Sequence, residues 1–568
     1  MLNVWKKQRW RWIGFCQNDQ SEMSFIKKNI IPLFFLTWFL INLLQAGTTE
    51  LFDDEAYYWV YSKFLSWGYY DHPPMIALLI KIGYFFFHNE FGVRLLIVVL
   101  STASLVIIYD LLPQKNNKLF IAITCSMAVL QIGGIIAVPD IPLIFFTAFF
   151  FWLYRRFLEK SSLLNALLLG TGMALLLYSK YHGILIILFT LLSNLKLFKQ
   201  PLAYVAALLG IILFLPHLQW QYVHHFPSVQ YQLFERSSSG YKISYTTDYV
   251  AAQFLLVGPF MGWLLLWQSF RYKTTDVFER ALKFSLAGIY LFFLLSTLKG
   301  RVEANWTAPA WVPLIILSSQ ALLQKQKWKN ILWRLLPVTL VVVFALRFYM
   351  ALDIAPASWM PKDEFHQNKK WTAAIKEKAG DLPVVFLDSY QKPSKYWFYT
   401  GQKAFSLNTP LYRRNNFNFW PLEDSLRGKR VYAVITQDST YFTDIISRQG
   451  KKITRGKMID NFYSYSKVNL LSEKDLIVSG NTLHTSLRLA SDSEPVPVPF
   501  TPYLFVYRGD TCISSFKLSA QLVSDHWEIT NAETMNLLPG KYAARFAIPS
   551  IIPNLPSLNS TFCDLTVK

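Results

Sequence analysis

Residues 51–75 read LFDDEAYYWVYSKFLSWGYYDHPPM. Asp53, Asp54 and Glu55 follow directly on an apolar stretch, and a second polar knot, Asp71-His72-Pro73-Pro74, precedes the next apolar run. Carboxylates are costly beside hydrocarbon, so a chain that places a cluster there is using it. A carboxylate at such a boundary can take the proton of an attacking hydroxyl, and His72 offers a donor or a metal ligand next to it. Further along, Asp140 follows Pro139, Lys180 and Tyr181 lie in Ser179-Lys180-Tyr181-His182, and Lys299, Arg301, Glu303 and Asn305 share one short loop. Lys180, Lys299 and Arg301 have the chemistry of a clamp for a lipid phosphate. Arg94 either joins them or anchors its own helix. Asp140 and Glu55 are further acids able to position a substrate or hold a divalent metal, and Tyr57, Tyr58 and Trp59 are placed to line a binding site. Each motif also has a plain structural explanation: acids favoured at a helix start, a turn, a helix cap, a lysine reaching for the interface.

The elements that must position these residues are membrane helices. Hydrophobic residues make up 53% of the 568-residue chain and charged residues only 16%, well under the usual quarter. The net charge of +20 belongs to loops on the cytoplasmic side rather than to a nucleic-acid site, since no basic face interleaved with stacking aromatics occurs. About 20 apolar residues cross a bilayer. By that measure the spans fall at 29–46, 91–112, 119–138, 141–157, 162–179, 183–197, 202–217, 249–269, 282–298, 306–323 and 331–350, eleven in all. Residues 74–88 are short, begin with two prolines and carry Lys81, which suits a re-entrant or surface helix. With residues 1–28 as a basic cytoplasmic tail, and Met23 as an alternative translation start, the basic loops gather on one side. All the polar motifs above then share the outer face.

The fold class expected is therefore a polytopic α-helical membrane protein with about eleven spans over 29–350 and an extracytoplasmic C-terminal region. Residues 355–470 carry short buried-strand patterns such as Val384-Val385-Phe386-Leu387 beside helix-like stretches, an α/β unit. Residues 475–568 show alternating runs with turn residues between them, favouring a β-sandwich. Within it Cys512 and Cys563 are placed to form a disulfide in an oxidising compartment. The run Tyr390-Gln391-Lys392-Pro393-Ser394…Tyr399 is a candidate lip over the site. Neither a Walker A pattern nor a dinucleotide fingerprint occurs, so a donor already linked to a membrane lipid through phosphate fits better than a nucleotide sugar.

Together these motifs resemble the GT-C-fold glycosyltransferases of the bacterial branch related to protein O-mannosyltransferases and to the aminoarabinose transferase of lipid A. The stretch D-E-A-Y-Y-W…G-Y-Y-D-H-P-P at 54–74 is similar to the branch's first outer loop. P-D-I-P-L at 139–143, S-K-Y-H-G at 179–183 and R-V-E-A-N-W-T-A-P-A at 301–310 follow in family order, so the resemblance covers roughly residues 25–325. It implies inverting transfer of a sugar from a polyprenyl-phosphate donor to an acceptor on the outer face of the bacterial inner membrane, with Asp54 as the catalytic base. The acceptor is expected to be an envelope glycolipid or polysaccharide, with a protein as the alternative. The aminoarabinose branch has Glu-Lys-Pro-Pro where this chain has Asp71-His72-Pro73-Pro74, leaving Lys180, Lys299 and Arg301 to bind phosphate. A lipid-linked sugar transporter is the rival of another class. It would need polar residues at mid-membrane and internal repeats, and the sequence shows neither.

Overall fold

The computed structural model describes residues 29–568 apart from 233–240, 355, 357–362, 437–438, 450–451, 492, 498, 510 and 553–554. The basic N-terminal tail, the alternative start at Met23 and Cys16 lie outside the described residues.

Among the described residues, fifteen numbered helices build the chain as far as Ala351. They are α1 (Asn29–Thr48), α2 (Asp53–Lys63), α3 (Met75–Phe86), α4 (Glu90–Leu111), α5 (Asn117–Ser126), α6 (Ala128–Gly133), α7 (Asp140–Glu159), α8 (Leu163–Ser179), α9 (Gly183–Ser193) and α10 (Pro201–Val223), with the one-turn Pro227–Gln230 left unnumbered after them. Then come α11 (Ile243–Val257), α12 (Gly262–Arg271), α13 (Val277–Ser296), α14 (Trp311–Leu323) and α15 (Gln326–Ala351). Among the described residues, six helical segments are long and apolar enough to cross a membrane: α1, α4, α7, α10, Ala304–Leu323 and α15. A seventh arises if α11 and α12, bent by 96°, count as one. The protein is thus multi-pass, but the eleven-span count is not reproduced. The apolar run 119–138 is broken at Met127 into α5 and α6, α8 and α9 are short, and α13 carries Glu279, Arg280 and Lys283. Residues 74–88 form the twelve-residue α3, too short to span.

Local chemistry starts several of these helices. Asn89 caps α4 by accepting from the Gly92 N–H at 3.2 Å, and Ser162 caps α8. Gly83 and Gly92 let α3 and α4 meet backbone to backbone. A Cβ on Gly92 would lie 1.8 Å from the Phe87 carbonyl oxygen, and one on Gly83 would lie 2.3 Å from that of Gly92. This close approach fixes the start of α4 on α3, which in turn packs on α2.

After α15 the chain forms α16 (Asn368–Ala379), β1 (Val384–Leu387), α17 (Gln391–Thr400), β2 (Ala404–Leu407), β3 (Val431–Ile435), β4 (Asp444–Gln449) and β5 (Lys452–Ile459). The sheet order is β2-β1-β3-β5-β4, parallel among β2, β1 and β3 and antiparallel beyond. β1, β2 and β3 are buried throughout, and their residues are apolar apart from Ser406. Helix α17 packs on α2, where Trp397 and Phe398 meet the Trp59 ring edge-on at 5.9 and 5.1 Å.

The last region contains β6 (Leu470–Ser472), β7 (Asp475–Ser479), β8 (Thr482–Leu489), β9 (Tyr503–Arg508), β10 (Thr511–Val523), β11 (His526–Asn531), β12 (Gly540–Ile548), β13 (Ser557–Leu558) and β14 (Cys563–Val567). Instead of a sandwich, the sheet closes on itself. β11 pairs with β8 as well as β10, completing a seven-stranded barrel in the order β11-β10-β9-β12-β14-β7-β8. Alternating burial, as in β7 where Leu476 and Val478 are buried between exposed neighbours, serves a sandwich and a barrel equally. Only the β8–β11 ladder distinguishes them. The expected disulfide is absent: Cys512 and Cys563 are free. They sit on β10 and β14 with β9 and β12 between them, three strand spacings or roughly 14 Å, beyond the reach of a bridge.

Candidate functional site

Four acids of the polar motifs end up in different environments. Asp53 pairs with Lys395 at 2.5 Å. Asp71 is buried, with Oδ1 receiving Arg413 Nη1 at 2.6 Å and Oδ2 receiving the Tyr57 and Tyr61 hydroxyls at 3.2 and 3.3 Å. Asp140 is buried between Lys180 Nζ at 2.8 Å and Asn305 Nδ2 at 3.0 Å. Asp54 has no ion pair among the described residues. It accepts from two neutral groups only, the Tyr390 hydroxyl at 3.2 Å and Gln391 Nε2 at 3.0 Å. Burial lifts its carboxyl above the ordinary range, and the nearby Asp53 charge adds to the shift.

These groups converge. Tyr58 is buried in the field of Asp54, Asp71 and Asp140, with its ring 5.6 Å from that of His72. His72 is pulled down to about 4 by burial, helped by the Lys180 and Arg413 charges, so it is neutral at pH 7. Its Nδ1 is buried without a partner, which leaves an imidazole able to donate or accept toward a substrate. Tyr181 closes one wall through Ser228 (2.9 Å), Gln221 (2.8 Å) and His217 (3.2 Å). Lys299 and Arg301 are exposed on the loop that carries Asn305, and Arg301 is only loosely paired with Glu303 at 3.9 Å. The opposite end of α7 is basic: Arg155 pairs with Asp110, with Lys115 nearby. From Asp140 to Arg155 is about fifteen residues along one helix, or roughly 22 Å. The polar motifs therefore share one end of the bundle and this basic cluster lies at the other.

Comparison with known proteins follows the same lines. Residues 71–220 match the dolichyl-phosphate-mannose-protein mannosyltransferase family. The lipid A galacturonosyltransferase RgtD of Rhizobium johnstonii is 25% identical over 308 residues, which is 51% of this chain and 64% of that protein. Crystal structures of ArnT from Cupriavidus metallidurans, in the apo state and bound to undecaprenyl phosphate, have a TM-score of 0.56 at 12% and 13% identity. They cover 76% and 75% of this chain and 98% of the ArnT chains. At that identity the likeness is one of fold. The chain is thus similar to membrane glycosyltransferases in sequence over 71–220 and to ArnT in fold.

In this chain two of the residues expected at the site are turned elsewhere. Glu55 and Arg94 are fully buried and bind each other through two contacts, 2.7 and 2.6 Å. Glu55 also accepts from the Ala137 and Phe52 N–H groups at 2.7 and 2.9 Å, and Arg94 donates to the carbonyls of Ala46, Thr49 and Glu50. With these bonds made, Arg94 has no donor left for phosphate and Glu55 no open oxygen. The pair ties α2 to α1, α4 and the turn before α7. Among the described residues the one cluster able to hold a metal is Asp353, Asp363 and His366, on the connection after α15. It does not include Asp54, Glu55, Asp140 or His72.

The C-terminal region supplies residues that the GT-C motifs do not contain. Tyr390 and Gln391, at the start of α17, reach Asp54, as the expectation of a lip implied. Lys395 and Arg413 were not expected. Lys395 is 3% exposed, and its Nζ also donates to the Glu364 carbonyl and Asn368 Oδ1. An amphipathic helix reading of 391–400 would have placed this lysine in water, and burial is the one signal that marks it. For Arg413 the only hint in the sequence is the basic pair Arg413-Arg414 just before Asn415-Asn416.

Proposed function

We propose that the chain is an inverting glycosyltransferase that moves a sugar from a polyprenyl-phosphate donor to an extracytoplasmic acceptor, a lipid A-type envelope glycolipid. The observation that carries this reading is the isolation of Asp54. Of the four acids at the site it alone lacks a cation, so it alone can take a proton without first breaking an ion pair. Asp54 removes the acceptor hydroxyl proton as that oxygen attacks the anomeric carbon. The bond from that carbon to the phosphate oxygen breaks, and the polyprenyl phosphate departs with the electron pair. Lys299 and Arg301 meet that phosphate at the rim, and Lys180 stabilises its charge from beside Asp140. Such stabilisation is usually the largest electrostatic contribution to a transfer of this kind. Asp140 and Asn305 orient a sugar hydroxyl, and His72 donates to it or accepts from it.

The glycolipid acceptor is supported by RgtD, whose name gives lipid A as its acceptor and which matches over 308 residues. Undecaprenyl phosphate bound to the similarly folded ArnT supports the donor class. The family matched over 71–220 is described by protein acceptors, so transfer to protein is the second reading. The site is placed on the periplasmic side of the inner membrane, with 29–350 as the membrane domain and the α/β unit and barrel outside. The test is transfer by purified protein from an undecaprenyl-phosphate sugar, together with mass spectrometry of lipid A and of envelope proteins from a deletion strain. A missing sugar on lipid A supports the first reading, and one missing only from glycoproteins supports the second. No consumption of donor, with donor analogues crossing liposomes that hold the protein, would replace both with transport.

A further inference from the structure

Arg413 is held more firmly than a contact between two regions requires. Its Nη1 donates to Asp71 Oδ1 at 2.6 Å and to the Arg414 carbonyl at 3.3 Å. Its guanidinium lies over the Tyr390 ring at 4.6 Å and the Tyr231 ring at 5.0 Å. The other oxygen of Asp71 is occupied by Tyr57 and Tyr61, so it does not draw a second N–H from the arginine. Nε and Nη2 therefore have no partner among the described residues. The loop behind Arg413 is braced from the barrel: Tyr507 donates to the Pro410 carbonyl at 2.5 Å, Arg545 Nη2 to the Tyr412 carbonyl at 3.0 Å, and the Leu558 N–H to the Asn408 carbonyl at 3.0 Å.

A guanidinium is planar and carries its donors along its edge. Clamped against two rings with one corner fixed, Arg413 keeps two N–H-bearing nitrogens beside Tyr390, whose hydroxyl donates to Asp54. We propose that this edge of Arg413 is an anion-binding subsite for an oxyanion on the substrate other than the leaving phosphate. Two sources have that chemistry: a carboxylate on the transferred sugar, or a phosphate on the acceptor near the hydroxyl that Asp54 deprotonates. Either meets a pre-oriented pair of charge-assisted donors. The subsite rests on the reading of Asp54 as the base at which donor and acceptor meet.

The test is binding to the purified full-length protein, followed by tryptophan fluorescence, with two pairs of probes. One pair is undecaprenyl-phosphate hexuronic acid against undecaprenyl-phosphate hexose, and the other is lipid A against its dephosphorylated form. The wild type is expected to favour the charged member of one pair at least tenfold. Arg413→Gln is expected to bring that ratio close to one through lost affinity for the charged member, and Arg413→Lys to restore part of it. Loss in the donor pair assigns the sugar carboxylate; loss in the acceptor pair assigns the acceptor phosphate. If Arg413→Gln fails to fold, Tyr231→Leu removes one clamping ring and is expected to shrink the same ratio. No preference in the wild type, or equal weakening of charged and neutral probes in the variants, overturns the subsite and leaves Arg413 as a docking contact. Binding is read without turnover. A preserved charge preference with no transfer by the wild type would thus reject the glycosyltransferase reading while the subsite stands.

Discussion

At the scale of single residues, the contrast between Asp54 and its neighbours does most to define the site. Asp53, Asp71 and Asp140 each face a cation, at 2.5, 2.6 and 2.8 Å, while Asp54 faces a phenol and an amide. Asp54→Asn is expected to lower turnover on the order of 100- to 10,000-fold, measured as transfer from an undecaprenyl-phosphate sugar. Near wild-type turnover would move the base to another acid. Burial lifts the Asp54 carboxyl above its ordinary 3.8, and this has two further consequences. The ionised form is the base, so the acid limb of the kcat/KM profile should rise with pH around a value above the usual carboxylate range. The folded state also holds this proton more tightly than the unfolded chain, so the contribution of Asp54 to stability falls as pH rises from 3.8 through the lifted value. Asp54→Asn should then unfold at a higher temperature than wild type at pH 7 while being inactive, and a lower unfolding temperature would count against the lifted carboxyl.

At the scale of elements, the Glu55–Arg94 pair decides whether α2 stands where Asp54 is useful. Both side chains are 0% exposed. Removing one partner leaves the other charge buried and unpaired, which costs about 3–5 kcal/mol. Arg94→Met is therefore expected to lower the thermal unfolding temperature in detergent markedly, with activity falling in step with folded protein. A variant that folds as wild type but transfers nothing would return the pair to the chemistry. The α3–α4 crossing makes a second prediction at this scale. Gly92→Ala places a methyl where the Phe87 carbonyl oxygen lies 1.8 Å away, so the helices must separate, and folding yield is the measurement. Yield equal to wild type would show that the crossing yields more easily than its backbone contact implies.

For the whole molecule, the site is assembled from both halves of the chain. Tyr390, Gln391, Lys395 and Arg413 come from the α/β unit, and the barrel holds the Arg413 loop. Removing residues after 465 deletes the barrel and leaves the sheet strands in place, so it is expected to cut transfer strongly while the membrane helices still fold, as judged by gel filtration. Full activity in that truncated protein would deny the barrel any part in positioning Arg413. The regions that reach Asp54 must also lie on its side of the membrane. Alkaline phosphatase fused after residue 360 is expected to be active, and activity of a cytoplasmic reporter at that point would invert the topology.

The sequence by itself determined the class of the molecule and the neighbourhood of the site. A run of about 20 apolar residues and a carboxylate cluster at its end are local facts, and the cost of charge in hydrocarbon gives them one meaning. The motifs at 54–74, 139–140, 179–182 and 301–305 could be assigned to one face because each ends or begins an apolar run. Tertiary structure alone decided the partners. Asp54 meets Tyr390 across 336 residues and Asp71 meets Arg413 across 342, and no local pattern encodes such pairs. The same holds for Glu55 and Arg94, whose charges look catalytic in the sequence until the fold closes around them. Barrel closure through β8 and β11, and the two strands that keep Cys512 from Cys563, follow from strand order. Alternating residues fix which face of a strand is buried, but not which strand lies beside it.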